Sequence, residues 1–164
     1  MNSKTLSQSK TNTADKKSAI HFNIDTFKYK TAIETRFADF DMMGHVNNAV
    51  YFTYLEIART KYWKQAIGWD WEKTGVVIAQ AELDYILPVF LKDQISIYVR
   101  TSRIGRSSFD LEYLIVKQQG NTEQVCASGK SVCVAFDYQQ QQATAVPADE
   151  RLKMETFEQL SPAD

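Results

Sequence analysis

Asp39 to Tyr51 reads Asp-Phe-Asp-Met-Met-Gly-His-Val-Asn-Asn-Ala-Val-Tyr and leads into the longest helical pattern of the chain. The stretch places two carboxylates, a glycine, a histidine and two asparagines just ahead of that helix. The first turn of a helix exposes unpaired backbone N–H groups and a partial positive charge. Polar groups gathered there can act on a carbonyl or hold an anion, so the stretch is predicted to form the active site.

The helix that follows is predicted over residues 47–67. Its apolar stripe consists of Tyr51, Leu55, Ala58, Tyr62 and Ala66. Polar side chains occupy the opposite face, an arrangement typical of a helix that buries one side against a sheet. Asn47 or Asn48 suits the N-cap position. Gly68 suits the end of the helix because glycine tolerates the left-handed conformation found there.

Strand patterns flank the helix on both sides. The first runs from residue 29 to residue 37, with aromatic and β-branched side chains up to Phe37 on one face. Four further runs of alternating character follow the helix, at 79–87, 95–100, 109–115 and 125–136. Gly105 and Gly120 mark hairpin turns between the last three. The order predicts an α+β fold in which a curled antiparallel sheet of about five strands wraps one long helix.

The chain of 164 residues is long enough for one domain with a sizeable core. Residues 1–24, rich in Ser, Thr, Asn and Lys, are expected to form a flexible tail. The folded domain is placed at residues 25–140. Residues 141–164 are interpreted as a C-terminal extension that includes a peripheral helix.

Composition narrows the function classes. The net charge of −1 gives no general attraction to nucleic acid or to an anionic membrane. No apolar run approaches the roughly 20 residues of a membrane span, and the N-terminus lacks the apolar segment of a secretory signal. A cytoplasmic protein is therefore expected. The two cysteines, Cys126 and Cys133, lie in one strand at odd spacing, so they should point to opposite faces as reduced, buried thiols.

The motif carries a family resemblance. Residues 36–52, followed by Glu56-Ile57-Ala58-Arg59, resemble the signature of hotdog-fold acyl-CoA thioesterases and, more narrowly, of the 4-hydroxybenzoyl-CoA thioesterase-like family. The resemblance covers about residues 28–137, and its strand, helix and four-strand order matches a fold in which the sheet wraps the helix. It implies hydrolysis of an acyl-CoA thioester to a free carboxylic acid and CoA.

The resemblance implies that Asp41, three residues before Gly44, is the catalytic carboxylate. Asp41 can attack the thioester carbonyl directly or activate water as a general base, and both routes remain open. Backbone N–H groups near Asn47 and Asn48 can hold the negative charge on the thioester oxygen. The alternative for Asp41 is an ordinary loop or capping role. Asp39 is the rival carboxylate, and it is expected to order the loop or face solvent.

Gly44 and His45 complete the predicted catalytic group. Gly44 is expected to supply a positive φ angle or close packing at the bend. His45 has no Cys or Ser nucleophile beside it, so packing and hydrogen bonding of the loop are favoured over a role as general base. The chain has two histidines and no paired cysteines, so neither a metal site nor a cofactor is predicted.

Residues predicted to contact the substrate are Asn47, Tyr51, Val77, Ile78, Arg103, Arg106 and Ser107. Tyr51 is a candidate for the acyl pocket, although aromatic residues at helical spacing usually belong to a core. Proteins that this chain resembles build the pocket between subunits, so Val77 and Ile78 are placed against a neighbour's substrate. Arg103 and Arg106 flank a glycine turn and suit the phosphates of CoA, the alternative being a solvated hairpin.

The predicted sheet leaves apolar side chains on its outward face, at Leu114, Val116, Val132 and Val134. A homodimer or a dimer of dimers is therefore expected to bury part of that surface. The nearest alternative function is an acyl-carrier-protein thioesterase, which would perform the same chemistry on a protein-borne thioester. A hotdog dehydratase and a non-catalytic acyl-thioester binding protein are lesser alternatives.

Overall fold

The computed structural model of the chain describes residues 22–160, so the tail predicted over residues 1–24 lies almost wholly outside the described residues. It contains a long helix, α1 (Asn48–Tyr62), and a shorter helix, α2 (Ala148–Glu158). The strands are β1 (Tyr29–Ile33), β2 (Gly75–Tyr85), β3 (Ile95–Ile104), β4 (Ser108–Gln119), β5 (Thr122–Asp137) and β6 (Gln142–Ala143). No helix in this range is long and apolar enough to cross a membrane.

One antiparallel sheet runs in the order β1-β3-β4-β5-β2, with the two-residue strand β6 paired to β5. The hairpins predicted at Gly105 and Gly120 join β3 to β4 and β4 to β5. The sheet curls around α1, and the residues between them form a single hydrophobic core. The predicted α+β hotdog architecture of about five main strands is therefore confirmed.

The apolar stripe of α1 is buried as predicted, with Tyr51, Leu55, Ala58 and Tyr62 all in the core. The predicted helix of residues 47–67 divides into two parts. The α-helix ends at Tyr62, and a π-helical turn follows over Trp63–Ile67. Gly68 ends this turn in the left-handed conformation at φ 68°, which glycine adopts without a Cβ penalty.

The first strand is shorter than its pattern predicted. It ends at Ile33, and the side chain of Phe37 is 84% exposed, so the placement of Phe37 on the buried face was wrong. The cause is local, because the carboxylate of Asp39 accepts the backbone N–H of Arg36 at 2.8 Å. This side-chain acceptor competes with a strand partner and folds residues 37–39 into a short 3₁₀ turn.

Two outward residues of β4 are more buried than predicted. Leu114 is 3% exposed and Val116 is 0% exposed, so neither is open surface for a second subunit. Residues 22–27 run over this face of the sheet, where Phe27 packs edge-on against Tyr98 with ring centroids 6.1 Å apart. The chain therefore covers part of its own outer face.

The long strand β5 contains a close approach at Gly129, the position at which the sequence predicts a bulge or a close approach, and a bulge at Cys126. Gly129 closely approaches β2, because a Cβ built on it would lie 2.9 Å from the carbonyl oxygen of Glu82. A register shift opposite Ile115 and Val116 leaves Cys126 as an extra residue. Cys126 and Cys133 consequently both join the core, and the prediction that they face opposite sides was wrong. Both are free thiols, and burial raises their pKa values to about 11 and about 12.

Strand β2 forms one edge of the sheet. Within the described residues it pairs only with β5, so its other edge presents unpaired backbone groups along an 11-residue strand. Most of its side chains are exposed, including the large apolar Ile78 and Tyr85. A long exposed edge of this kind is a template for pairing with another strand.

Candidate active site

A tight turn fixes the side chain of Asp41. Its Oδ1 accepts the backbone N–H of Met43 at 2.8 Å and that of His45 at 3.3 Å. The turn closes through backbone bonds from Gly44 N–H to the Asp41 carbonyl and from Asp41 N–H to the His45 carbonyl. Gly44 has φ 78°, a conformation that favours glycine. Oδ2 accepts no hydrogen bond from the described residues, so this exposed oxygen is free to meet a substrate or a water molecule.

The start of α1 lies directly after this turn. The side chain of Asn47 accepts the N–H of Ala49 at 3.0 Å, which makes Asn47 the N-cap residue, one of the two predicted. The Asn47 N–H donates to the carbonyl of Asp39 at 2.8 Å, and the Asn47 carbonyl accepts the N–H of Val50. Among residues 22–160, Asn48 N–H at this helix start is left without an acceptor.

This free N–H is a candidate oxyanion donor. It belongs to the first residue of a 15-residue helix, where the helix dipole adds partial positive charge. Because the peptide group is planar, the Asn47 carbonyl and the Asn48 N–H point in opposite directions. The carbonyl is turned into the helix toward Val50, so the Asn48 N–H points away from the helix.

An aromatic and aliphatic wall adjoins the helix start. A cavity of about 250 Å³ is lined by His45, Val46, Tyr51, Tyr85, Ile86, Leu87 and Pro88. The hydroxyl of Tyr85 donates to the Asn48 carbonyl at 2.8 Å, and its ring packs edge-on against Tyr51. Burial raises the pKa of Tyr51 to about 12, so its phenol stays protonated at neutral pH. The cavity can receive an apolar group attached to a carbonyl held at the helix start.

His45 lies in the packing of this wall. It forms an isolated antiparallel bridge with Phe90, and the two rings meet edge-on with centroids 5.3 Å apart. Its neighbour Val46 donates its N–H to the carbonyl of Val89. These contacts tie the loop to the segment before β3, which matches the packing role favoured for His45 from the sequence.

Asp39 is buried beneath the loop at 1% exposure. Its carboxylate accepts hydrogen bonds from the backbone and side chain of Arg36 and from the hydroxyl of Tyr54. Burial alone would raise the pKa of Asp39, but these hydrogen bonds outweigh it and hold the pKa below its ordinary value. Asp39 therefore orders the loop, and it is too enclosed to attack a substrate.

The remaining predicted site residues lie elsewhere in the chain. Val77 and Ile78 stand near the start of β2, whereas the helix start adjoins Tyr85 at its end. Arg103, Arg106 and Ser107 lie at the β3–β4 hairpin, the opposite end of β3 from the Asp41 loop. Ten-residue β3 separates the two ends by roughly 30 Å at about 3.3 Å per residue. One chain therefore does not bring these residues to Asp41.

The hairpin arginines differ in their surroundings. Arg103 forms a two-point ion pair with Asp110, with both N–O distances at 2.9 Å, and Lys130 contacts the same carboxylate at 3.0 Å. Arg103 is the main cause that lowers the pKa of Asp110. Arg106 is exposed, and no acidic partner for it lies within residues 22–160. Arg106 is thus the more available cation for a phosphate.

Sequence reasoning considered Tyr54 only as an aromatic residue of the pocket or core, and it missed the supporting roles of Tyr54, Tyr85 and Phe90. Tyr54 reaches Asp39 from two turns inside α1, Tyr85 is the last residue of β2, and Phe90 lies between β2 and β3. Only the Tyr54 contact could have been predicted from the sequence. A buried tyrosine usually needs a hydrogen-bond partner, and Asp39 is a nearby acceptor in the sequence. The other two contacts depend on the tertiary fold.

Comparison with known proteins assigns the family. Residues 35–154 match the Thioesterase-like superfamily, and the chain belongs to it. The uncharacterized protein YsmA of Bacillus subtilis (strain 168) is 32% identical over 127 residues, which are 77% of this chain and 84% of YsmA. The long-chain acyl-CoA thioesterase FadM of Escherichia coli (strain K12) is 27% identical over 130 residues, 77% of this chain and 96% of FadM.

A solved structure supports the same assignment. The crystal structure of a thioesterase from Thermus thermophilus, complexed with coenzyme A and Zn, superposes with a TM-score of 0.73 at 33% sequence identity. The match covers 84% of this chain and 98% of that one. The protein is therefore a hotdog-fold thioesterase, an enzyme that hydrolyses thioesters.

Proposed function

We propose that the protein hydrolyses an acyl-CoA to a free carboxylic acid and CoA, with Asp41 and the Asn48 N–H as the working groups. The observation that carries the proposal is their pairing. An exposed carboxylate is fixed by two backbone N–H groups, and a helix-start N–H that no described residue accepts follows it closely in the chain. A thioester needs an attacking oxygen and a donor for its carbonyl oxygen, and these two groups supply both.

Two routes use this arrangement. In the first, the free Oδ2 of Asp41 attacks the thioester carbon, the C–S bond breaks, and water then hydrolyses the resulting mixed anhydride. In the second, Asp41 takes a proton from water as the water oxygen attacks, and the C–S bond breaks in the same way. In the first route the departing thiolate takes a proton from solvent, and in the second it takes up the proton that Asp41 received from the attacking water. Negative charge develops on the carbonyl oxygen in both, where the Asn48 N–H stabilises it.

Coenzyme A is favoured over a carrier protein by the relatives' own activities. FadM is a long-chain acyl-CoA thioesterase, and the Thermus thermophilus enzyme was crystallised with coenzyme A. The cavity of about 250 Å³ beside His45 and Tyr51, with its aromatic and aliphatic side chains, is the proposed place for the acyl group. Arg106 is the candidate contact for the CoA phosphates.

A homodimer is proposed to complete the pocket. The edge of β2 that pairs with no described strand adjoins the helix start through Tyr85, and antiparallel pairing of two such edges reverses the second chain. The reversal carries the partner's Val77, Ile78 and β3–β4 hairpin toward the end of the sheet that holds Asp41. Exposed apolar side chains around the loop, including Met43, give that contact further surface to bury.

Thiol release from a panel of substrates tests the activity. The panel contains short-chain, long-chain and aromatic acyl-CoAs together with the same acyl groups on an acyl carrier protein, and a thiol-reactive dye reports the product. At least one acyl-CoA should be turned over with kcat/KM above about 10⁴ M⁻¹s⁻¹. Absence of turnover on every acyl-CoA would refute the proposal, and turnover on the carrier alone would replace coenzyme A by the carrier.

Light scattering tests the assembly. The full chain has a mass of 18.8 kDa, so a dimer should scatter as twice that mass and a dimer of dimers as four times it at micromolar concentration. A sharp monomer peak with full activity would contradict a pocket shared between subunits.

A further inference from the structure

The buried carboxylate of Asp39 binds residues on both sides of the active-site loop, Arg36 before it and Tyr54 in helix α1 after it. Asp39 Oδ2 accepts the backbone N–H of Arg36 at 2.8 Å and the hydroxyl of Tyr54 at 2.7 Å. Oδ1 accepts the Arg36 Nε at 3.1 Å and Nη2 at 2.8 Å. A carboxylate with this many donors is strongly fixed, because charge-assisted hydrogen bonds are about twice as strong as neutral ones.

The backbone of the same residue reaches the helix start. The Asp39 carbonyl accepts the N–H of Asn47 at 2.8 Å, and Asn47 shares its next peptide group with the Asn48 N–H. The side chain of Asp39 also accepts a hydrogen bond from the hydroxyl of Tyr54, which is 1% exposed in the middle of α1. Asp39 thus joins the body of the helix to the peptide that sets the direction of its first N–H.

The two aspartates of the motif have different surroundings. Asp41 keeps one exposed oxygen to which no described residue donates, whereas both carboxylate oxygens of Asp39 accept hydrogen bonds within the protein. Burial and the Asp39 carboxylate raise the pKa of Tyr54, so its hydroxyl remains protonated and continues to donate. With the pKa of Asp39 lowered and that of Tyr54 raised, the acceptor is ionised and the donor is protonated at neutral pH.

We infer that Asp39 is a positioning residue, which, with Tyr54 as its anchor in α1, holds the Asn48 N–H in the direction required for the thioester oxygen. The inference rests on the proposed function. Loss of the anchor lets the Asn47–Asn48 peptide turn, and small misplacements of an oxyanion donor cost rate more than substrate affinity.

Tyr54→Phe is the direct test because it removes a single hydroxyl. We expect kcat on the best acyl-CoA to fall about 10-fold with KM changed less than about 2-fold. Tyr62→Phe is the matched control, since Tyr62 is 0% exposed on the same helix stripe and its hydroxyl bonds to Thr101 and Glu158, away from the loop. The control should lose thermal stability to a similar degree and keep its kcat.

Asp39→Asn provides a second variant of the same shape. It should lower kcat further, by about 100-fold, because an amide cannot accept from all the donors around it. The backbone amide resonance of Asn48 in ¹H–¹⁵N NMR should shift in Tyr54→Phe and stay in place in Tyr62→Phe. Equal kcat in Tyr54→Phe and Tyr62→Phe, or an unmoved Asn48 resonance in Tyr54→Phe, would overturn the inference.

The outcomes separate this inference from the function on which it rests. If the wild-type protein turns over no acyl-CoA, the proposed function fails first, and an Asn48 resonance that still responds to Tyr54→Phe would support the positioning contact alone. If the wild type is active and depends on Asp41 but Tyr54→Phe behaves as Tyr62→Phe does, only the positioning role fails.

Discussion

Asp41→Asn should lower kcat on the best acyl-CoA by about a thousand-fold. The substitution replaces the free Oδ2 by an amide nitrogen, which can neither attack a thioester nor take a proton from water. An asparagine Oδ1 can still accept the N–H groups of Met43 and His45, so the turn should survive. We expect the thermal midpoint to move by no more than about 2 °C, as for other exposed positions.

Asp137→Asn is the matched control for this variant. Asp137 Oδ1 accepts the N–H groups of Gln139 and Gln140 at 2.8 and 3.0 Å, which is the same kind of turn at the end of β5. Its kcat should equal that of the wild type. A near-normal rate for Asp41→Asn would transfer the catalytic role to His45, because Asp39 is enclosed. In the wild type, thiol release that precedes acid release in a single turnover would identify the mixed-anhydride route.

Most of the fold could be predicted from the periodicity of apolar residues along the sequence. The buried stripe of α1 and the alternation in the strands each depend on residues close in sequence, and both were confirmed. The misses arose where a side chain competes with the backbone or a distant segment intervenes. The Asp39 carboxylate took the Arg36 N–H and ended β1 early. Residues 22–27 crossed the sheet near Leu114, which no pattern in β4 announces.

The contacts of the candidate site also fall into local ones, which the sequence predicts, and long-range ones, which it does not. The turn around Gly44 and the cap at Asn47 are contacts within four residues, so the motif itself predicts them. The contacts of Tyr85 with Asn48 and of Phe90 with His45 join residues at least 37 positions apart in the sequence, and only the curled sheet brings them together. The Arg103 pairing with Asp110 lay between these cases, since both residues belong to one hairpin whose register around Gly105 fixes them as neighbours.

Asn48→Pro should lower kcat about 100-fold or more while the protein stays folded. Proline deletes the one backbone N–H at the helix start that no described residue accepts, and it leaves the rest of the peptide group in place. Asn48 is the first residue of α1, the helical position that proline tolerates best. The residue before a proline must be extended, and Asn47 already is, at φ −58° and ψ 137°.

Asn48→Ala is the control that separates the backbone from the side chain. It keeps the N–H and removes the amide side chain, so its kcat should stay within about 3-fold of the wild type, consistent with an exposed side chain that no described residue holds. KM for the acyl-CoA should change little in either variant, because the N–H bonds most strongly to the oxygen once negative charge has developed on it. A proline variant with wild-type kcat would show that the oxyanion is held elsewhere, and an alanine variant as slow as the proline variant would assign the loss to the Asn48 side chain.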